Sequence, residues 1–356
     1  MRAMQSEYMY WAKTQQPVTY ALGSSEVPHF HLDRFPIDIA GLELDGASRY
    51  RHPPLREAIA RKHGVTPDRV VMADGTSMAN MLALSALLAP GDEVVAETPA
   101  YEPMVAAASH KGAAIRSFAR VAPDFAIDPA AVEAAVTERT RVILLTNLHN
   151  PTGNLADEAV LRRVSEIAER AGAFVLIDEV YLDAALPAQR SAAHLGDRFV
   201  VTSSLTKCYG LSGLRCGWII AAPELAERIW RLNELFGVAQ AHSTEQLSLL
   251  ALERLDEIAA ASHAHLAHNR ALANAFFGDR NDLDCAPMTG GITAFPRLLR
   301  GDVDALNRLL RERYDTSIVP GRFFGLADHF RIGIGQPTGI VEAGLERLGA
   351  ALDSLR

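Results

Sequence analysis

Ser203-Ser204-Leu205-Thr206-Lys207-Cys208-Tyr209-Gly210-Leu211-Ser212-Gly213-Leu214-Arg215 puts a lysine just past an apolar run, then a glycine-spaced loop, then an arginine. A lysine at a strand end adds little to solubility. Its use there is chemical: a primary amine held for a Schiff base with a carbonyl. The strand before it, residues 199–203, is one of five short β-rich runs. The others are residues 69–73, 93–96, 141–146 and 174–178. The last three of the five in chain order are almost continuously apolar, as strands covered on both faces must be.

Between these runs lie stretches such as residues 78–88 and 156–171, whose apolar spacing is nearer 3.6 than 2. The alternation predicts an α/β domain with a mostly parallel central sheet flanked by helices. Ligands of such sheets gather beyond the carboxyl ends of the strands. Gly75, Asn150, Asp178 and Lys207 each end or follow a different run, so they should converge on one edge. Residues 217–220 read as a further strand, residues 224–275 as long helices, and the remainder as a second, smaller α+β domain. The expected division is 40–240 for the large domain, with 1–39 and 241–356 forming the small one.

The whole chain sets bounds on function. Its 356 residues are 49% hydrophobic and 22% charged, an ordinary globular composition long enough for two domains. A formal charge of −8 argues against general affinity for nucleic acid or anionic membranes. Cys208, Cys216 and Cys285 are odd in number and widely spaced, which suits a reducing compartment. No apolar run reaches the roughly 20 residues of a membrane span, and the amino terminus lacks a signal-peptide core, so a cytoplasmic location is expected. The twelve histidines offer no pair with convincing metal-ligand spacing, and His263, His265 and His268 read as a solvated helix face. No metal is expected.

Two segments carry chemistry of their own. Asp74-Gly75-Thr76-Ser77 joins a strand to a helix beginning near Ser77, where unpaired backbone N–H groups and two hydroxyls favour an anion. Taken alone, that pattern is more often a plain helix cap. Asp178 ends the apolar run Phe174-Val175-Leu176-Ile177. A carboxylate there is costly to bury unpaired and should face a cation.

With His149-Asn150-Pro151-Thr152-Gly153 and Asp178-Glu179-Val180-Tyr181 added, the chain from about residue 45 to residue 335 resembles the class I/II aminotransferases. These are fold-type-I enzymes that use pyridoxal 5'-phosphate (PLP). The resemblance implies that Lys207 bonds the cofactor and that Gly75, Thr76, Ser77, Ser204 and Arg215 hold its phosphate. It implies that Asp178 faces the ring nitrogen, that Tyr181 and Asn150 reach the ring oxygen, and that Tyr101 stacks on the ring. Arg331, in His329-Phe330-Arg331-Ile332-Gly333, matches the arginine that grips the substrate α-carboxylate, with Asn150 and the backbone at Gly23 completing that site. Tyr50 resembles the tyrosine that family members send to the partner subunit's phosphate, although the spacing to Leu55-Arg56 is shorter and the usual glycine is missing. Leu148 stands where many members have proline.

The implied activity is ping-pong transfer of an amino group between an amino acid, or a related primary amine, and a 2-oxo acid, by a homodimer with shared active sites. The same fold and lysine also serve PLP-dependent lyases, decarboxylases and cyclases, and these motifs do not separate them. A non-catalytic PLP-binding regulatory module is disfavoured, since the chain has no basic DNA-binding extension. Arg34, Arg49, Arg51 and Arg297 are candidate partners for a second substrate carboxylate. Tyr8, Tyr10 and Trp11 could line an apolar pocket or pack against the small domain.

Overall fold

A computed structural model describes residues 5–31, 37–44 and 50–355, without the side chains of residues 261–263. Seven strands form the central sheet: β1 (Val70–Asp74), β2 (Glu93–Thr98), β3 (Ala114–Ala119), β4 (Thr140–Thr146), β5 (Phe174–Asp178), β6 (Phe199–Ser204) and β7 (Cys216–Ile220). Their order is β1-β7-β6-β5-β4-β2-β3. Neighbours from β6 to β3 run parallel, and β7 runs antiparallel to both β1 and β6. Strands β4, β5 and β6 are buried almost throughout, as their apolar runs require. The unanticipated strand is β3. It is an edge strand in which Phe118 alone is buried, so it carries no apolar run to betray it.

Helices flank the sheet or follow it: α1 (Glu7–Thr14), α2 (Pro53–His63), α3 (Gly75–Leu87), α4 (Glu102–His110), α5 (Pro129–Ala135), α6 (Glu158–Arg170), α7 (Pro223–Asn233), α8 (His242–Glu253), α9 (Leu255–Gly278), α10 (Val303–Tyr314) and α11 (Thr338–Ser354). In α6 the apolar stripe of Leu161, Val164, Ile167 and Ala168 is buried and its charges face out. Asp157 caps its first turn through the Ala159 N–H. The helix after β1 starts at Gly75 rather than near Ser77.

Five two- to four-residue strands follow: β8 (Leu283–Asp284), β9 (Thr293–Ala294), β10 (Arg297–Leu298), β11 (Val319–Pro320) and β12 (Phe330–Gly333). They pair as β10-β8 and β11-β12-β9, and α11 packs across α9 and α10. Among the described residues no helix is long and apolar enough to cross a membrane.

The segment of residues 20–30 joins these parts. It runs between the Lys207 loop and β12, giving the Val27 N–H to the Lys207 carbonyl at 3.0 Å and the Phe30 N–H to the Gly210 carbonyl at 3.1 Å. The Leu22 carbonyl accepts the Gly333 N–H at 2.6 Å. Glycine makes the passage possible. A Cβ on Gly333 would lie 1.6 Å from the Ser24 carbonyl oxygen, and one on Gly210 would lie 2.2 Å from the Pro28 carbonyl oxygen.

Candidate active site

The carboxyl ends of β1, β4, β5 and β6 open into a cleft of about 800 Å³. Gly23, Thr76, Ser77, Tyr101, Asn150, Asp178, Tyr181, Lys207 and Arg215 all line it. Residues dispersed over almost 200 positions thus meet where parallel-sheet geometry requires.

At one end is an anion cradle. Asp74 precedes α3 without a side-chain cap, so the helix keeps its first N–H groups uncapped by it. The Thr76 hydroxyl donates to Ser204 Oγ at 2.8 Å, and Ser204 Oγ donates to Thr206 Oγ1 at 2.9 Å. Arg215, in left-handed backbone, lays its Nη2 3.2 Å from the Asp74 carbonyl. Gly75 has φ +76°, and a Cβ on it would sit 2.3 Å from that Nη2. Any side chain would therefore displace the guanidinium from the helix end. Uncapped amides, three hydroxyls and an arginine fork fit a phosphate dianion.

Deeper in the cleft Asp178 is buried, 4% exposed. Its Oδ1 accepts the Val180 N–H at 3.0 Å and its Oδ2 accepts Asn80 Nδ2 at 2.8 Å. Burial pushes the carboxyl up to about 6, against the pull of Asn80, the Val180 N–H and the charge of Lys207. A carboxylate this poorly solvated fits a cationic ring nitrogen. Asn80 was not foreseen. It is a buried polar residue inside α3, with Oδ1 taking the Thr202 hydroxyl proton at 2.6 Å, and nothing local distinguishes it from an exposed helix asparagine.

Lys207 Nζ lies 3.7 Å from Glu26 Oε2, a second residue that sequence reasoning missed, because it reaches the lysine only through the docking of residues 20–30. Burial pushes the Tyr181 phenol up, while the charges of Lys207 and Arg331 draw it back. Tyr101 meets Tyr8 edge-on, with ring centroids 6.1 Å apart.

Arg331 is buried, 1% exposed. Its Nη1 donates to Asn150 Oδ1 at 3.0 Å, and its Nη2 donates to the Tyr8 hydroxyl at 2.9 Å and the Gly23 carbonyl at 3.2 Å. Its Nε has no hydrogen-bond partner among the described residues. A fully buried guanidinium with a spare donor and, among the described residues, no carboxylate partner suits the carboxylate of a substrate. Tyr8 is thus part of this site, Trp11 lines the cleft, and Tyr10 is exposed. Since a guanidinium only donates, Asn150 Oδ1 must face Arg331, which turns its amide nitrogen the other way.

Other expectations fare differently. Tyr50 does not line the cleft; its hydroxyl bonds Glu234 on the surface. Arg51 is paired with Glu227 and Arg297 with Asp328, and neither lines the cleft; Arg34 and Arg49 lie outside the described residues. His265 is not on a solvated face. Its Nε2 lies 2.6 Å from the Gln336 carbonyl, tying α9 to the chain after β12. His268 is exposed as expected, and the side chain of His263 lies outside those described. The Asn147–Leu148 peptide is cis. Among the described residues His52, His242 and Glu245 bring possible ligand atoms within 4.8 Å of one another. However, His52 Nδ1 accepts the Leu55 N–H as the cap of α2, which puts the proton on Nε2. We read the group as a helix cap beside a His–Glu pair.

Known proteins with this arrangement are numerous. The sequence model of aminotransferase class I and II matches residues 40–348. Capreomycidine synthase of Streptomyces vinaceus is 32% identical over 304 residues, covering 84% of this chain and 78% of that protein. A histidinol-phosphate aminotransferase of Sphingopyxis alaskensis is 30% identical over 302 residues, covering 82% and 79%. The solved structure of the PLP-dependent cyclase OrfR superposes with a TM-score of 0.89 at 26% identity, covering 100% of this chain and 99% of that one.

Proposed function

We propose, on the premise that the chain belongs to the class I and II aminotransferase family, PLP-dependent enzymes that move an amino group between an amino acid and a 2-oxo acid, that its cleft residues divide the work as follows. Gly75, Thr76, Ser77, Ser204 and Arg215 hold the cofactor's phosphate. Asp178 faces its ring nitrogen, Asn150 and Tyr181 its ring oxygen, and Tyr101 its ring face. Bound there, PLP supplies an electron sink for charge developing at the substrate Cα. Arg331, braced by Tyr8 and the Gly23 carbonyl, grips the α-carboxylate and fixes which Cα bond points at Lys207. Lys207 Nζ would hold the cofactor at rest and, once the substrate amine has taken its place, would carry the proton from the substrate Cα to the cofactor, the transfer that leaves the nitrogen behind.

The observation that carries this reading is the convergence of Lys207 and Asp178 on one cleft beside the Gly75–Arg215 cradle, with Arg331 bonded to the cleft residues Tyr8, Gly23 and Asn150. The test is a half-reaction. Holoenzyme incubated with amino acids and no 2-oxo acid should yield one equivalent of 2-oxo acid per site and stop. Continued turnover to ammonia would exclude plain transamination.

A second reading has specific support. Two of the similar proteins are named as a capreomycidine synthase and a PLP-dependent cyclase, so ring closure on the substrate's own side chain is the main alternative outcome. The same half-reaction separates it, because a cyclised amino acid retains its nitrogen.

We further propose a homodimer. Leu235, Phe236 and Val238 are exposed near Tyr50 and the start of α8, the sort of apolar patch that a second copy would cover, and Tyr50 would then serve the partner's phosphate. We propose the division into 40–240 and 1–39 with 241–356 because Lys207, Asp178 and the Gly75 turn come from the first part and Tyr8, Gly23 and Arg331 from the second. The free, largely buried cysteines support a cytoplasmic location.

A further inference from the structure

Below the cleft, out of reach of substrate, lies a buried ion pair that the division of labour above does not use. Glu97 at the end of β2 and Arg120 just after β3 are each 2% exposed and meet at 2.9 Å. Such a pair is a poor source of stability, because desolvation of both charges offsets most of their attraction. The atoms around it suggest what it does instead.

Glu97 Oε1 accepts twice from Thr146, from the backbone N–H at 2.8 Å and from the hydroxyl at 2.7 Å. With its one proton committed, Thr146 Oγ1 can only accept, and it accepts the Asn150 N–H at 3.0 Å. Asn150 in turn meets Arg331. Burial pushes the Glu97 carboxyl up, and the Arg120 guanidinium at 2.9 Å opposes that and holds it ionised. Because an ionised carboxylate cannot donate, the polarity of this relay is set at its far end. Arg120 holds the same loop through Nη2 on Asn154 Oδ1 at 2.7 Å, while its Nε donates to the Phe125 carbonyl in its own segment. The neutral His149 links the loop to the Tyr101 side, through Thr152 Oγ1 at 2.7 Å and the Pro99 carbonyl at 2.9 Å.

We propose that Glu97, held by Arg120, is a positioning residue: acting through the Thr146 hydroxyl it fixes Asn150, and through Asn150 the Arg331 fork that receives the substrate carboxylate. The inference rests on the roles assigned above to Asn150 and Arg331, not on which reaction follows.

Two variants separate positioning from bulk stability. Thr146→Val removes the hydroxyl and leaves the ion pair intact. Glu97→Met/Arg120→Met replaces the pair with apolar side chains of similar length, a change that buried pairs often tolerate in stability. Both are read as holoenzyme in two ways: the Kd for 2-methylalanine, which has no Cα proton to lose, and the pH midpoint of the cofactor's absorbance change. The second readout reports the Asn150 amide beside the ring oxygen and needs no turnover. Both variants should fold, with a Tm below the parent because buried N–H groups lose their acceptors, bind 2-methylalanine about tenfold more weakly and show a raised midpoint, while Thr146→Ser restores parental values. A folded Thr146→Val enzyme with parental Kd and midpoint overturns the proposal. Should Thr146→Val fail to fold, the double variant decides in the same way. A parent that binds 2-methylalanine yet does not transaminate sinks the functional reading and leaves this one standing.

Discussion

The proposed cofactor half of the cleft and its proposed substrate half are built differently. On the cofactor side Lys207, Asp178, Ser204 and the Gly75 turn sit at or just past the ends of β6, β5 and β1, and buried β-ladders fix their spacing. On the substrate side Arg331 comes from the short strand β12, Tyr8 from α1 and the Gly23 carbonyl from an irregular segment, joined by single hydrogen bonds. A strand end is placed by a whole sheet, whereas a docked segment is placed by a few contacts. The first half should therefore be rigid without ligand, and the second should depend on its neighbours.

The sharpest way to break that contrast is Lys207→Ala. It should fold and keep the cradle, lose at least about 10⁴-fold in amino transfer and yield no borohydride-trapped peptide at that position. Retained activity would show that Lys207 is not the amine that the chemistry uses. Next comes Arg331→Ala, which should still bind PLP with near-parental affinity while raising KM about a hundredfold, measured by absorbance titration and steady-state kinetics. Loss of PLP binding would mean that the halves are not separable.

The smallest effect probes the sheet beneath the cofactor half. Glu179 is buried, with Oε2 lacking a hydrogen-bond partner among the described residues, and burial pushes its carboxyl up to about 8, against the pull of Ser191 and the Ala192 N–H. The folded chain thus holds a proton that the unfolded chain releases above the ordinary carboxylate range near 4.5. Stability from this group is full below that range and is lost as pH rises through about 8. Glu179→Gln apoprotein, which keeps the acceptor for the Ala192 N–H, should gain on its parent as pH rises from about 5 to about 8, by on the order of a few degrees in Tm at the upper end. A difference in Tm that stays flat with pH would show that the carboxyl titrates normally.

Much of the cofactor half was legible because each of its signals is local. An aspartate ending an apolar run, a glycine between strand and helix, and a lysine spaced from serine and arginine state their backbone settings within a few residues. Arg331 was legible only through family resemblance, since two- to four-residue strands leave almost no periodicity to read. The edge strand β3 was missed for a related reason: with one buried side chain it has no pattern.

By itself the sequence determined the α/β sheet, the edge where chemistry gathers and the groups that suit PLP, because burial and turn geometry act over short stretches of chain. Only the tertiary structure decided that Asn80 faces Asp178, that Tyr8 and Glu26 enter the cleft, and that Glu97 with Arg120 underlies Asn150. A polar side chain has no orientation until its element is packed, and partners 23 to 323 residues apart meet through that packing alone.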